Sequence, residues 1–281
     1  ITFPEEGENP VIDDIEYSKL NSIYQSMTST DETKYFDVSD DKKLEGFIKY
    51  LADVYRANPY SYSSELSRKS MDMLKNSVLG RELRPDIHKW AVYGGLTHVD
   101  GGTKDKYYGR NYYSFDAGKS SVESDMKLTG AYAQAEYGLS LDNTVGIVLG
   151  GTNSEAKISS SKLDGDSIYL GVYGKRYIDN MRIALGVGYQ YGDYEGNRVT
   201  KDYSNIFYDK TNAQSYSGNY NDNGINIYTD IRYTHKIKDN LYFEPYFNVG
   251  YTFIKQDKIR EEGVLSLNTK EKEFNYLTAK V

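Results

Sequence analysis

Three histidines, His88, His98 and His235, are the first residues to weigh for metal or acid–base chemistry in this 281-residue chain. Their spacing matches no ligand pattern, and with no cysteine to join them no zinc site follows. No Gly-x-Ser-x-Gly elbow is present. Gly186-x-Gly188 lies inside a strand-like run instead of opening a helix, so these glycines read as packing positions and not as a nucleotide loop. The remaining candidates are the carboxylates Glu136, Asp230 and Glu244 and the cations Lys175, Arg182 and Arg232. Alternation puts both sets on one polar face, where they can meet as wall-lining ion pairs rather than as a general acid and base. No catalytic residue, metal or cofactor is expected.

Each of these charges sits in a run whose apolar residues recur at every second position, the period of a strand. Ile225, Ile227, Thr229, Ile231 and Tyr233 oppose Asn226, Tyr228, Asp230, Arg232 and Thr234. Leu241, Phe243, Pro245, Phe247, Val249, Tyr251 and Phe253 oppose Tyr242, Glu244, Tyr246, Asn248, Gly250 and Thr252. Ile168, Leu170 and Val172 oppose Tyr169, Gly171, Tyr173 and Lys175, and Ile183, Leu185, Val187, Tyr189 and Tyr191 oppose Arg182, Ala184, Gly186, Gly188, Gln190 and Gly192. Eight strand candidates are counted in all.

Tight turns join some of the runs: Leu141-Asp142-Asn143-Thr144, Ile178-Asp179-Asn180-Met181 and Lys238-Asp239-Asn240-Leu241. Asp and Asn suit them because their side chains bond local backbone and Asn tolerates positive φ. The connections at the other end are expected to be long, polar loops, roughly 100–124, 153–164, 195–223 and 255–270. Alternating short and long connections mark a transmembrane β-barrel, apolar toward lipid and polar toward a wet lumen. The expected lumen-facing set is Gln134, Glu136, Tyr169, Tyr173, Lys175, Arg182, Gln190, Tyr228, Asp230, Arg232, Glu244 and Asn248. A soluble antiparallel sheet has the same period, but runs of about ten residues are long for globular strands, usually about five or six.

Composition agrees with a barrel. Apolar content is 38% and mean hydropathy −0.69, low for a helical membrane protein but natural where only alternate residues meet lipid. No stretch approaches the roughly 20 apolar residues of a spanning helix. Thirty tyrosines suit an interfacial girdle, with others, including Tyr107, Tyr108, Tyr112, Tyr113, Tyr203, Tyr208, Tyr216 and Tyr220, in the expected outer loops. A net charge of −7 with scattered basic residues argues against nucleic acid as a partner.

The first eighty or so residues follow a helical period instead. Ile15, Leu20, Ile23 and Tyr24 form one short stripe, and Leu44, Phe47, Ile48, Leu51, Val54 and Tyr55 a clearer one ended by Asn58-Pro59. A third helix is expected over about Ser61 to Gly80, rich in serine, with apolar Leu66, Met71, Met73, Leu74 and Val78 forming a partial stripe among Arg68, Lys69, Asp72 and Lys75. About twenty helical residues reach roughly 30 Å, enough to cross a bilayer core. So polar a helix either runs through a hydrated barrel or lies on a periplasmic or outer surface; these residues alone leave both readings open.

A serine-rich helix ending near Leu74 to Gly80, a Trp-led strand Trp90 to Gly95, Thr129-Gly130-Ala131-Tyr132 running to Tyr137-Gly138-Leu139, and Gly146-Ile147-Val148-Leu149-Gly150 follow in a telling order. The Ile168 to Tyr173 strand, Leu185-Gly186-Val187-Gly188-Tyr189 and Glu244-Pro245-Tyr246 continue it. In that order the chain resembles the translocator domain of the classical autotransporters, type V secretion proteins of diderm bacteria, in the Lys-, Asn-, Tyr- and Ile-rich style of genera such as the fusobacteria. The resemblance covers about Ser61 to Val281. It implies an all-β, antiparallel transmembrane barrel of twelve strands, about eight of them present here, preceded by an α-helical segment with a pore-spanning helix that includes Leu66, Arg68, Lys69, Asp72 and Lys75. It divides the chain into a passenger-end or linker segment (1–60), the pore helix and linker (61–86) and an outer-membrane barrel (87–281). It implies an N-terminal passenger carried to the cell surface, outer-membrane lipid, lipopolysaccharide and the barrel-assembly machinery as partners, and no enzymatic role. Some autotransporters cut their own linker with acidic lumen residues; no match to that machinery is found here. The missing initiating Met, the missing signal peptide and a last strand without a closing aromatic lead to the expectation that the chain is a piece of something longer. The alternative is a complete eight-stranded outer-membrane barrel acting as an adhesin or anchor through Tyr-rich loops. Inward Gly171, Gly186, Gly188 and Gly250 favour the translocator, because they would leave room for a helix.

Overall fold

A computed structural model of the chain describes residues 58–81, 84–108, 119–158, 161–200, 214–262 and 266–281. The two helical stripes expected before residue 58 lie outside the described residues. A 3₁₀ turn at Pro59–Tyr62 leads into one α-helix, α1 (Ser63–Leu79), two residues later than its expected start. Asn58 caps the turn, its side-chain oxygen accepting from Tyr60 N at 3.0 Å. Gly80 stands just past the helix end, its N–H bonding Asn76 O at 2.8 Å.

Eleven strands follow: β1 (Trp90–Tyr108), β2 (Lys119–Gly138), β3 (Asn143–Ile158), β4 (Ser161–Ile178), β5 (Met181–Thr200), β6 (Gln214–Tyr233), β7 (His235–Lys238), β8 (Leu241–Phe243), β9 (Tyr246–Gln256), β10 (Arg260–Glu261) and β11 (Lys272–Lys280). One antiparallel sheet runs β1-β2-β3-β4-β5-β6-β9-β11, its strands in chain order along the path, with β10 continuing the β9 side against β6. The path holds eight long strands, the number counted in the sequence. β7 and β8 pair separately as a short hairpin around Asp239-Asn240. Among the described residues β1 and β11 are the two edges and do not pair with each other.

The sheet curls around α1. The helix contacts β1 to β6 and β9, and it reaches β11 through Ser64 with Tyr276 (2.7 Å) and Asp72 with Lys280 (3.5 Å). A single rod touching every long strand requires a concave wall with the rod on its axis. At about 1.5 Å per residue its 17 residues span about 25 Å. Burial alternates accordingly along β3 and β4. Ile168, Leu170, Val172, Leu185, Ile225, Ile227 and Phe247 are exposed on the outer face, while Tyr169, Tyr173, Lys175, Arg182, Gln190, Tyr228, Asp230 and Asn248 are buried inside.

Several expectations change. The turns at 178–181 and 238–241 are where the sequence puts them, the first lies at 139–142 with Asn143 and Thr144 already in β3, and the described parts of the first three supposed long loops are mostly strand. β1 and β2 run on to Tyr108 and from Lys119, β3 and β4 are paired up to Ile158 and Ser161, and β5 and β6 are paired up to Thr200 and Gln214. Polar composition had marked these stretches as loop, yet beyond an apolar belt neither face needs apolar residues and the ladder continues. At the other end, Tyr242 and Tyr246 of the expected inward set are exposed, Tyr242 at 56% in the β7–β8 hairpin that pairs apart from the main sheet and Tyr246 at the start of β9. The left-handed residue in the β4–β5 turn is Asp179 (φ 49°), not its Asn neighbour.

Candidate functional site: the helix-filled interior

Small residues let the helix approach the wall. A Cβ added at Gly150 would stand 2.7 Å from Leu74 Cδ2, one at Gly224 2.6 Å from Met71 Cε, and one at Gly130 2.9 Å from Met73 Cε. These three glycines, not the four expected, meet apolar helix side chains directly. Gly186 and Gly188 are covered by tyrosines of the wall itself, Gly171 by Val148 and Tyr169, and Gly250 faces Thr278 and, farther off, Lys75 Nζ. Across one row the register reads Gly146, Tyr173, Gly186, Tyr228, Gly250 on β3, β4, β5, β6 and β9. Each ring lies flat on the glycine of the preceding strand, with Tyr173 over Gly146 and Tyr228 over Gly186. Rings that would otherwise stand into the bore lie along its wall, and the bore stays wide enough for a helix.

Around the helix the interior is packed. Leu66 and Met73 pack with Tyr60, Met126, Leu128, Leu163, Tyr194, Tyr220 and Ile259 toward the helix N-terminus. Met71, Leu74 and Val78 pack with Val148, Tyr169, Tyr173 and Ile254 in the middle. Leu79 packs with Ala184 and Tyr228 at the C-terminus. The partial stripe in the sequence is therefore nearly a whole buried circumference: serines face polar wall residues where the apolar side chains do not point.

The serines carry the polar contacts. Ser70 Oγ lies 2.6 Å from Thr152 Oγ1, 3.0 Å from Ser167 Oγ and 2.8 Å from Gln190 Oε1, all buried. Gln190 Nε2 in turn donates to Ser67 Oγ at 2.9 Å. Ser63 Oγ bonds Gln256 Oε1. A serine hydroxyl is short and both donates and accepts, so it closes such networks without holding the helix away. Tyr169 donates to Asn226 at 3.1 Å beside them. Gln134 is buried, and its amide has no hydrogen-bond partner among the described residues.

The charges singled out in the sequence form two groups. On the helix, Arg68 bonds Glu65 (2.6 Å) and Asp72 (3.3 Å), Lys69 approaches Glu65 (4.0 Å), and buried Lys75 bonds Asp72 (2.7 Å). On the wall near the tight turns, Lys175 pairs with Glu136, Arg182 with Asp230 (3.5 Å), and Arg232 with Asp230 (2.9 Å) and Glu244 (3.1 Å). Asn248 Nδ2 reaches Asp230 at 3.4 Å. Arg232 and Glu244 are only half-buried, near the end of the bore.

Sequence reasoning missed a third group at the opposite mouth. Arg198 bonds Glu261 through two nitrogens, Nη2 at 2.6 Å and Nε at 3.3 Å, and stacks over Tyr216 at 4.4 Å. Tyr194 stacks on Tyr220 at 5.2 Å, with Tyr60 edge-on to Tyr220. Tyr216 and Tyr220, expected in an outer loop, are inward strand residues. The inward parity of Gln190, Gly192 and Tyr194 carried through Gly196 and Arg198 would have found this cluster. Farther out, Lys162 is held by Asp164 (2.8 Å) and Glu155 (2.9 Å), and those hydrogen bonds push its ammonium up to about 12. The histidines lie apart: His88 against Tyr137, His98 beside Thr129, and His235 stacked on Tyr233.

The helix has a fixed direction. Its N-terminus lies at the Arg198–Glu261 mouth, where Tyr60 OH bonds Gly196 O at 3.4 Å, and its C-terminus lies at the tight-turn end, where Arg182 bonds Leu79 O.

Residues 106–281 match the family described as Autotransporter beta-domain. The fold is similar to the translocator domain of the autotransporter NalP from Neisseria meningitidis, with TM-score 0.57, 15% identity, and coverage of 80% of this chain and 70% of that one. At that identity the likeness is one of fold. The ferric yersiniabactin uptake receptor FyuA from Yersinia pestis (TM-score 0.34, 10% identity, 69% of this chain and 32% of that one) and the outer membrane transporter YddB from Escherichia coli (0.31, 13%, 68% and 28%) also match. No curated protein sequence matches the chain.

Proposed function

Because the chain belongs to the autotransporter β-domain family, an outer-membrane translocator domain of Gram-negative bacteria, we propose that it carries an N-terminal passenger through its own bore to the cell surface. The direction of α1 supports this reading above all. Strand β1 leaves the tight-turn end, while the chain before Asn58 leaves from the mouth with the long hairpins, so a passenger joined there stands on the outer side. In this reading residues 1–60 are the passenger end or linker, 61–86 the pore helix and its linker, and 87–281 the barrel. Gln134, Glu136, Tyr169, Tyr173, Lys175, Arg182, Gln190, Tyr228, Asp230, Arg232, Glu244 and Asn248 line the conduit, and Leu66, Arg68, Lys69, Asp72 and Lys75 are the helix side chains they surround. Outer-membrane lipid, lipopolysaccharide and the assembly machinery are its partners, and folding of the passenger outside gives the transport its direction.

An epitope placed upstream of Asn58 in the full-length protein tests the assignment. External protease should remove it from intact cells and leave the barrel. An epitope reachable only after the outer membrane is broken would contradict it.

A further inference from the structure

Two buried cations hold the inner end of α1 by its backbone. An α-helix ends on carbonyls that have no partner within the helix and that carry partial negative charge. Arg182 Nη2 donates to Leu79 O at 2.6 Å, and its Nη1 donates to Arg81 O at 3.1 Å. Lys175 Nζ donates to the same Arg81 O at 3.2 Å. Lys175 and Arg182 are almost wholly buried, and each leans on a wall carboxylate, Glu136 of β2 and Asp230 of β6. Four strands therefore converge on the point where the helix hands over to the linker of β1.

We infer that Lys175 and Arg182 are a latch that keeps α1 seated in the bore, and that the other helix contacts set its register rather than its retention. The inference rests on the reading of the interior as a conduit. The helix charges mostly pair among themselves, Glu65, Arg68 and Asp72 on one stripe, and the serine node is built of neutral bonds. Bonds from a charged donor are roughly twice as strong as neutral ones, and these two cations aim three of them at main-chain oxygens. Contacts to main chain do not depend on the helix side chains, so the latch grips a helix end as such.

Single-channel recording of the full-length protein in planar bilayers tests this. Combined Arg182→Gln and Lys175→Gln should raise the frequency of open events by about tenfold or more, the order expected when hydrogen bonds to charged groups are lost. Arg182→Lys, which keeps a cationic donor, should restore much of the closure. Glu155→Gln, which perturbs a wall charge paired with Lys157 and Lys162 near the opposite mouth, should leave the record unchanged. Either glutamine variant alone removes one cation and keeps the other, and should raise opening part-way even if the pair does not assemble. Deletion of residues 63–79 gives the fully open reference. A deletion that opens while the glutamine variants stay closed overturns the latch. A deletion that stays closed overturns the conduit reading itself.

Discussion

At the scale of single residues, parity decides what a substitution does. Ile227 points outward at 57% exposure and its neighbour Asn226 points in, buried and bonded by Tyr169. Ile227→Lys puts an ammonium against lipid and should cost about 2–4 kcal/mol if it sits near the bilayer midplane. Asn226→Lys stays off the lipid, but it displaces a packed partner of Tyr169 and should cost a smaller, measurable amount. Heat-modifiability of the assembled protein on a gel reads both; equal losses at the two sites would contradict the facing. The facing was legible in the sequence because a period of two needs only apolar residues at alternate positions. The burial of the inner face was not: Asn226 and Asn248 looked water-facing, yet both are buried, the first bonded by Tyr169 and the second donating to Asp230. The same holds for the glycines. That Gly186 is roofed by Tyr228 and Gly150 by Leu74 depends on register between strands, which a linear pattern does not contain.

At the scale of elements, the fit between helix and wall should be breakable without breaking the sheet. Gly150→Val brings new carbon to 2.7 Å of Leu74, whereas at adjacent Gly151 the nearest atom to a new Cβ is 3.5 Å away. Overpacking of this kind costs about 1–3 kcal/mol. Gly150→Val should make α1 protease-sensitive in assembled protein while the sheet keeps its heat-modifiability, and Gly151→Val should do neither. Loss of sheet assembly in both would contradict the division of roles between the two glycines. The helix itself was expected almost at its observed bounds because serine and charge gave way cleanly at Gly80. Its place was not, since so polar a stripe suits water as well as a polar bore. The outer hairpins were misjudged for a related reason. Once a ladder leaves the apolar belt, polarity no longer distinguishes strand from loop, although Glu155 paired to Asp164 shows the backbone register still running.

At the scale of the whole molecule, one claim supports the rest: α1 lies inside the curved sheet with Ser67 and Ser70 against β3, β4 and β5. Eight strands touching one helix, a row of tyrosines laid flat on glycines, and cations waiting at the helix end all serve that arrangement. The fold class and strand order could be anticipated from turn and parity, because antiparallel neighbours follow one another in sequence. Curvature and seating could not, because they arise from contacts between residues far apart in the chain. The chain has no cysteine, so a disulfide can report the seating without background. Ser70 Oγ and Thr152 Oγ1 are 2.6 Å apart, close to what a disulfide requires once both positions carry sulfur. Ser70→Cys with Thr152→Cys in full-length protein in the outer membrane should form a bond that shifts mobility on a non-reducing gel. Ser70→Cys with Gly151→Cys, one residue along and on the outer face, should form none. A bond absent from the first pair, or equal in both, would mean that the helix does not lie where this account puts it.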